Sequence, residues 1–113
     1  DESYFMYTEE VDLCYRLARA GWQLWYVPQS VVTHFGGASS KQIAEEMYLQ
    51  LYCSKIQFYR KFYGSLQTSL FKILVVLVYI PRVIAATFLE ICNPGWRSSA
   101  HRFRRLLTNL PGM

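Results

Sequence analysis

The chain has 113 residues, 52% hydrophobic and 17% aromatic, which excludes a disordered polymer and limits it to one modest core. Three cysteines, Cys14, Cys53 and Cys92, show no CxxC pairing, which argues against a disulfide framework or structural zinc site and for a reducing cytosolic setting. Charge is unevenly divided: residues 1–40 carry a net −3 and residues 41–113 a net +7, so an acidic head is joined to a basic, apolar tail suited to an anionic surface.

The first element expected is a helix of about three turns. Thr8 is the expected N-cap, and Glu9, Glu10 and Asp12 fall in the first turn, where negative charge suits the helix dipole. Leu13, Cys14, Leu17 and Ala18 recur at helical spacing and read as a buried stripe; Gly21 then ends the helix. Trp22-Gln23-Leu24-Trp25-Tyr26-Val27 reads as a strand, Pro28-Gln29-Ser30 as its break, and Val31-Val32-Thr33-His34-Phe35 as a second strand closed by Gly36-Gly37.

Ser39 and Gln42 form a Ser-x-x-Gln capping box, and from Ala44 to Phe62 the aromatic and aliphatic residues keep helical spacing up to Gly64. Leu70 to Cys92 is the most hydrophobic stretch, interrupted by Pro81-Arg82 and stopped by Asn93-Pro94-Gly95. Arg102, Arg104 and Arg105 beside Phe103, Leu106, Leu107 and Leu110 make a basic amphipathic helix of the tail. The divisions expected are residues 1–40, 41–66 and 67–113.

Adjacent carboxylates in a first turn supply either a general base or an anchor for cations and hydroxyls, although as a bare pattern they do no more than stabilise a helix. A lone histidine at the end of a strand is equally ordinary. The ordered run is more specific: Phe5-Met6-Tyr7-Thr8-Glu9-Glu10-Val11-Asp12-Leu13-Cys14-Tyr15-Arg16-Leu17, then Ala20-Gly21-Trp22, Tyr26-Val27-Pro28, and Val32-Thr33-His34-Phe35-Gly36-Gly37-Ala38-Ser39. It resembles the C-terminal part of the catalytic domain of family 2 glycosyltransferases, in the rhamnosyltransferase and galactosyltransferase-like branch. The resemblance covers residues 1–40 closely and 41–65 loosely.

That resemblance implies an α/β fold of the GT-A type, a Rossmann-like sandwich in which residues 1–40 supply helix, strand and strand. It implies inverting transfer of a sugar from a nucleotide-sugar donor to a saccharide or lipid-linked acceptor hydroxyl. Glu10 matches the catalytic base and Glu9 the first acid of the pair. His34 matches a histidine that helps hold the divalent metal, Mg²⁺ or Mn²⁺, on the donor diphosphate. Asp12 and Arg16 match positions that support the acidic helix. Two departures stand out. The family usually carries Asp where this chain has Glu10; one methylene moves a carboxylate by roughly 1.5 Å, and misplacement of that order costs about 10²-fold. The donor-binding half with its Asp-x-Asp motif has no counterpart in the chain, which opens without a methionine. The expectation is a C-terminal piece, inactive by itself.

For the tail, about 20 apolar residues suffice to span a bilayer, and Leu70 to Cys92 is long enough. Arg82 at its centre costs about 2.5–3.5 kcal/mol on insertion scales. The favoured expectation is two shorter helices lying in, or dipping into, the cytoplasmic leaflet of the inner or plasma membrane, with Lys72, Arg82 and the cluster from Arg97 through Arg102 and Arg104 to Arg105 at anionic headgroups. Spanning, and packing against another domain, are the alternatives. A non-catalytic membrane-attachment or oligomerisation module is the competing function. Nucleic acid is not an expected partner, because the arginines come without stacking platforms or a DNA-binding pattern.

Overall fold

The computed structural model describes residues 1–33 and 43–113. Among these the chain is all-helical: α1 (Glu9–Arg19), α2 (Ala44–Cys92) and α3 (Arg97–Asn109), with short 3₁₀ turns at Pro94–Trp96 and Leu110–Gly112. The chain divides into two compact units, residues 1–54 and 55–113, and α2 runs through both.

The expected α/β class is overturned, since no strand forms among the described residues. Trp22 to Val27 joins no strand ladder among the described residues, with Trp25 80% and Tyr26 89% exposed. Its bonds are local: Trp25 Nε1 donates to Gln23 Oε1 at 3.1 Å, and Ser30 N donates to the Val27 carbonyl at 3.1 Å, closing a turn over Pro28-Gln29. Strand propensity measures fit to a pleated, half-buried surface, and among the described residues no second strand meets this run to form one. Val31 to Thr33 are exposed and likewise join no strand ladder among the described residues; His34 and Phe35 lie outside the described residues, as does the Ser39–Gln42 capping box.

In the first unit, α1 ends as its sequence dictates. Gly21 takes φ 86°, its N–H donates to the Ala18 carbonyl at 3.1 Å, and Trp22 N–H donates to the Leu17 carbonyl at 3.0 Å. This paired closure needs a left-handed residue, which glycine supplies without Cβ strain. The start differs from expectation. Thr8 holds the N-cap position at φ 72° with no side-chain cap bond, so its hydroxyl does not satisfy the first-turn N–H groups. The apolar stripe is not buried either: Leu13, Cys14 and Ala18 are exposed and Leu17 is half-buried, while the charged Asp12 is the buried residue of α1.

In the second unit, α2 breaks at Gly64, whose φ 84° and ψ −173° belong to a region open essentially to glycine alone. The chain then folds so that Phe71 stacks on Tyr59 with ring centroids 4.6 Å apart. The segment after the break, residues 65–92, stays helical through Pro81, contrary to the expected interruption. A proline removes one N–H and crowds the preceding turn, but it does not end a helix whose other bonds persist.

Asn93 turns the chain by accepting from Gly95 N–H at 2.9 Å. Helix α3 then packs antiparallel on residues 65–92. Tyr79 meets Phe103 edge-to-face at 5.5 Å, and Arg104 donates to Thr87 Oγ1 at 2.9 Å. Thr68, Val75, Tyr79 and Ala86 on one side, with Ala100, Leu106 and Leu110 on the other, make the core. Their spacings of seven, four and seven along α2 keep one face inward.

Candidate functional site

The site expected from sequence lies at the start of α1. Two consecutive non-glycine residues, Tyr7 at φ 67° and Thr8 at φ 72°, are left-handed immediately before Glu9. Such residues cost about 1–3 kcal/mol each and persist only where surrounding contacts over-determine them. The Ser54 hydroxyl donates to the Met6 carbonyl at 2.7 Å, and Gln50 Nε2 donates to Ser54 Oγ at 3.1 Å. Tyr4 OH donates to Asp12 Oδ2 at 3.3 Å, and Arg16 Nε donates to Asp12 Oδ1 at 2.6 Å. Asp12 N–H donates to the Thr8 carbonyl at 2.8 Å, closing the first turn.

Asp12 is fully buried, whereas the Arg16 side chain is 45% exposed. The pair therefore anchors the helix from inside, and Glu9 and Glu10 stand on its exposed face. The geometry divides the acids into two jobs. Asp12 is committed to structure, because its oxygens are held by Arg16 and Tyr4. Glu9 and Glu10 are open to solvent at the positive end of the dipole and are reachable by a diffusing hydroxyl or cation.

Ser54 was not among the residues expected from sequence. It is fully buried and tethers the strained link that leads into the acidic turn. The available signal was a lone hydroxyl residue on the helical stripe Met47, Leu51, Ser54, Phe58. His34, the expected metal ligand, lies outside the described residues. Among the described residues no group of three or more His, Cys, Asp or Glu side chains gathers to hold a metal, and the buried carboxylate is already engaged by Arg16. The described side chains do not by themselves fit a Mg²⁺ or Mn²⁺ centre.

The basic residues of the tail are held in specific ways. Lys72 Nζ donates to the Met113 carbonyl at 2.6 Å, which also accepts from Arg60 at 2.9 Å. Arg82 sits over the Tyr79 ring at 5.1 Å. Arg104 pairs with Glu90 at 3.4 Å, and Arg97 lies 3.9 Å from the same carboxylate. Arg102 is half-buried, reaches Ser99 Oγ at 3.4 Å, and leaves its Nε buried without a hydrogen-bond partner. Arg105 is half-buried on α3. Between α2 and α3 runs an apolar cleft of about 230 Å³, lined by Ile73, Val76, Leu77, Leu107 and Leu110 with Lys72 on its wall.

No family model matches the chain, and no solved structure matches it. Several curated relatives match a short stretch. The N-acetylglucosaminyl-diphospho-decaprenol L-rhamnosyltransferase of Mycobacterium tuberculosis is 59% identical over 34 residues, which is 30% of this chain and 11% of that protein. Rhamnosyltransferase WbbL of Escherichia coli K12 is 51% identical over 35 residues, 31% of this chain and 13% of that protein. The chain thus matches little more than a tenth of the length of these relatives. Over that stretch it is similar to rhamnosyltransferases, and in that part it is glycosyltransferase-related.

Proposed function

We propose that the chain contributes the acceptor-activating part of an inverting glycosyltransferase that moves a sugar, rhamnose by its relatives, onto a saccharide or lipid-linked acceptor. The observation that carries this reading is the exposed Glu9–Glu10 pair on a helix fixed from within by Asp12 and Arg16. The likeness of a third of the chain to rhamnosyltransferases supports it.

In the proposed reaction the Glu10 carboxylate takes the proton of the acceptor hydroxyl as its oxygen attacks the anomeric carbon. The bond from that carbon to the phosphate oxygen breaks, and the nucleoside diphosphate leaves with the bonding electrons. General-base help of this kind contributes about 10²–10⁴-fold. Glu9, next in the same exposed turn, adds negative charge beside the incoming alcohol. Asp12, Arg16, Tyr4 and Ser54 act at a distance by keeping the turn in place. A divalent cation, Mg²⁺ or Mn²⁺, with His34 among its ligands, would neutralise the departing diphosphate, as the resemblance to family 2 glycosyltransferases implies. In this proposal the reaction takes place at the cytoplasmic face of the membrane, and the diphospho-decaprenol in the mycobacterial relative's name supports a lipid-linked acceptor.

The test is Glu10→Gln in the full-length protein. Expected is a fall in kcat of about 10²-fold or more, with donor KM nearly unchanged, because the amide keeps shape but cannot accept the proton. Glu9→Gln should cost far less. Turnover by Glu10→Gln at the parent rate would remove the assigned base.

A further inference from the structure

Along residues 65–92 the side chains Ile73, Leu77, Ile80, Ile84, Phe88 and Ile91 follow one another at spacings of four, three, four, four and three, which puts them on one face of the helix. They are 55%, 64%, 45%, 53%, 67% and 79% exposed; Ile80, Ile84, Phe88 and Ile91 lie opposite the core face, and Ile73 and Leu77 also edge the cleft beside α3. No charged residue interrupts that face. A continuous apolar strip of this size on a folded surface marks a contact site.

The segment is also long and apolar enough to cross a membrane. The packing of α3 decides how it meets one. Helix α3 lies alongside residues 79–90, held by Tyr79 on Phe103 and by Arg104 on Thr87 and Glu90. Carrying that segment across a bilayer would take Arg97, Arg102, Arg104, Arg105 and Glu90 through the hydrocarbon with it. Laying the unit flat avoids this: the apolar strip faces down and α3 stays at the headgroup level.

We infer that residues 65–113 form a helical hairpin that lies in the plane of an anionic bilayer, with the Ile73–Ile91 strip in the acyl layer and the arginines of α3 among the lipid phosphates. Charge selects the lipid surface over a second copy of the chain. Residues 65–113 hold six basic residues (Lys72, Arg82, Arg97, Arg102, Arg104, Arg105) against one acid, Glu90, a net of +5. Two such surfaces repel, whereas an anionic leaflet attracts each one. The inference rests on this unit alone and does not depend on the transfer reaction.

The experiment uses the full-length protein in flotation with vesicles of phosphatidylglycerol and phosphatidylcholine, and with phosphatidylcholine alone. Expected is binding to the anionic vesicles, at least tenfold weaker binding to the neutral ones, and a similar drop for Ile84→Glu/Phe88→Glu at unchanged helix content. In a background with all three cysteines replaced, Ser65→Cys and Ser98→Cys mark the two ends of the segment. Both should react with a membrane-impermeant maleimide added outside the vesicles. Protection of one end until detergent is added would show spanning and overturn the inference. So would failure to float, equal binding to neutral vesicles, or a stable soluble dimer that buries the strip.

Discussion

Replacing Arg16 by alanine isolates the contact that holds the acidic turn. Asp12 is fully buried and would lose its charged partner at 2.6 Å, keeping the weaker Tyr4 bond at 3.3 Å. Breaking a fully buried ion pair costs about 3–5 kcal/mol. The Arg16 side chain is 45% exposed, so water already screens part of the attraction. A loss of about 2 kcal/mol follows, in line with a hydrogen bond to a charged group. Native-state hydrogen exchange reads this locally, and at about 1.4 kcal/mol per factor of ten the amides of α1 should exchange roughly 30-fold faster. Tyr4→Phe should give a smaller effect. Its combination with Arg16→Ala should be non-additive, because both side chains bond the same carboxylate. Unchanged exchange across Glu9–Arg19 in Arg16→Ala would refute the idea that this pair fixes the helix.

Two further substitutions probe other parts of the account. Gly64→Ala meets no atom within 4 Å of the added Cβ, so its cost is purely the backbone conformation, about 1–3 kcal/mol, read as a lower urea midpoint at unchanged slope; an unaltered midpoint would contradict the break in α2. Ser54→Ala removes the bond to the Met6 carbonyl, and should cost about 1 kcal/mol of stability and lower kcat more than donor KM changes, while Ser54→Thr restores part of the rate. Equal stability losses with no kcat change would leave Ser54 a purely structural residue.

Local chemistry carried most of the helical reading. Gly21 ends α1, Gly64 breaks the aromatic helix, and Asn93-Pro94-Gly95 turns the chain into α3, each at its expected place, because these depend on backbone freedom and short-range bonds. What failed depended on distant partners. Trp22 to Val27 has the residues of a strand but, among the described residues, no neighbour to pair with, and Pro81 sits inside a helix whose remaining bonds and α3 contacts hold it together. At the candidate site the acidic turn was visible in the spacing of Glu9, Glu10 and Asp12. The division of labour among them was not, because burial separates Asp12 from the exposed pair. Ser54 was hidden for the same reason, since its partner lies 48 residues away.

The proposed activity is tested most directly by following labelled sugar from a nucleotide-linked rhamnose donor into a polyprenyl-diphosphate saccharide acceptor, with the full-length protein and its Glu10→Gln variant side by side. The account predicts label in the organic-extractable lipid fraction for the parent protein and at least about 10²-fold less for the variant. No incorporation by the parent protein, or equal incorporation by both, would contradict it.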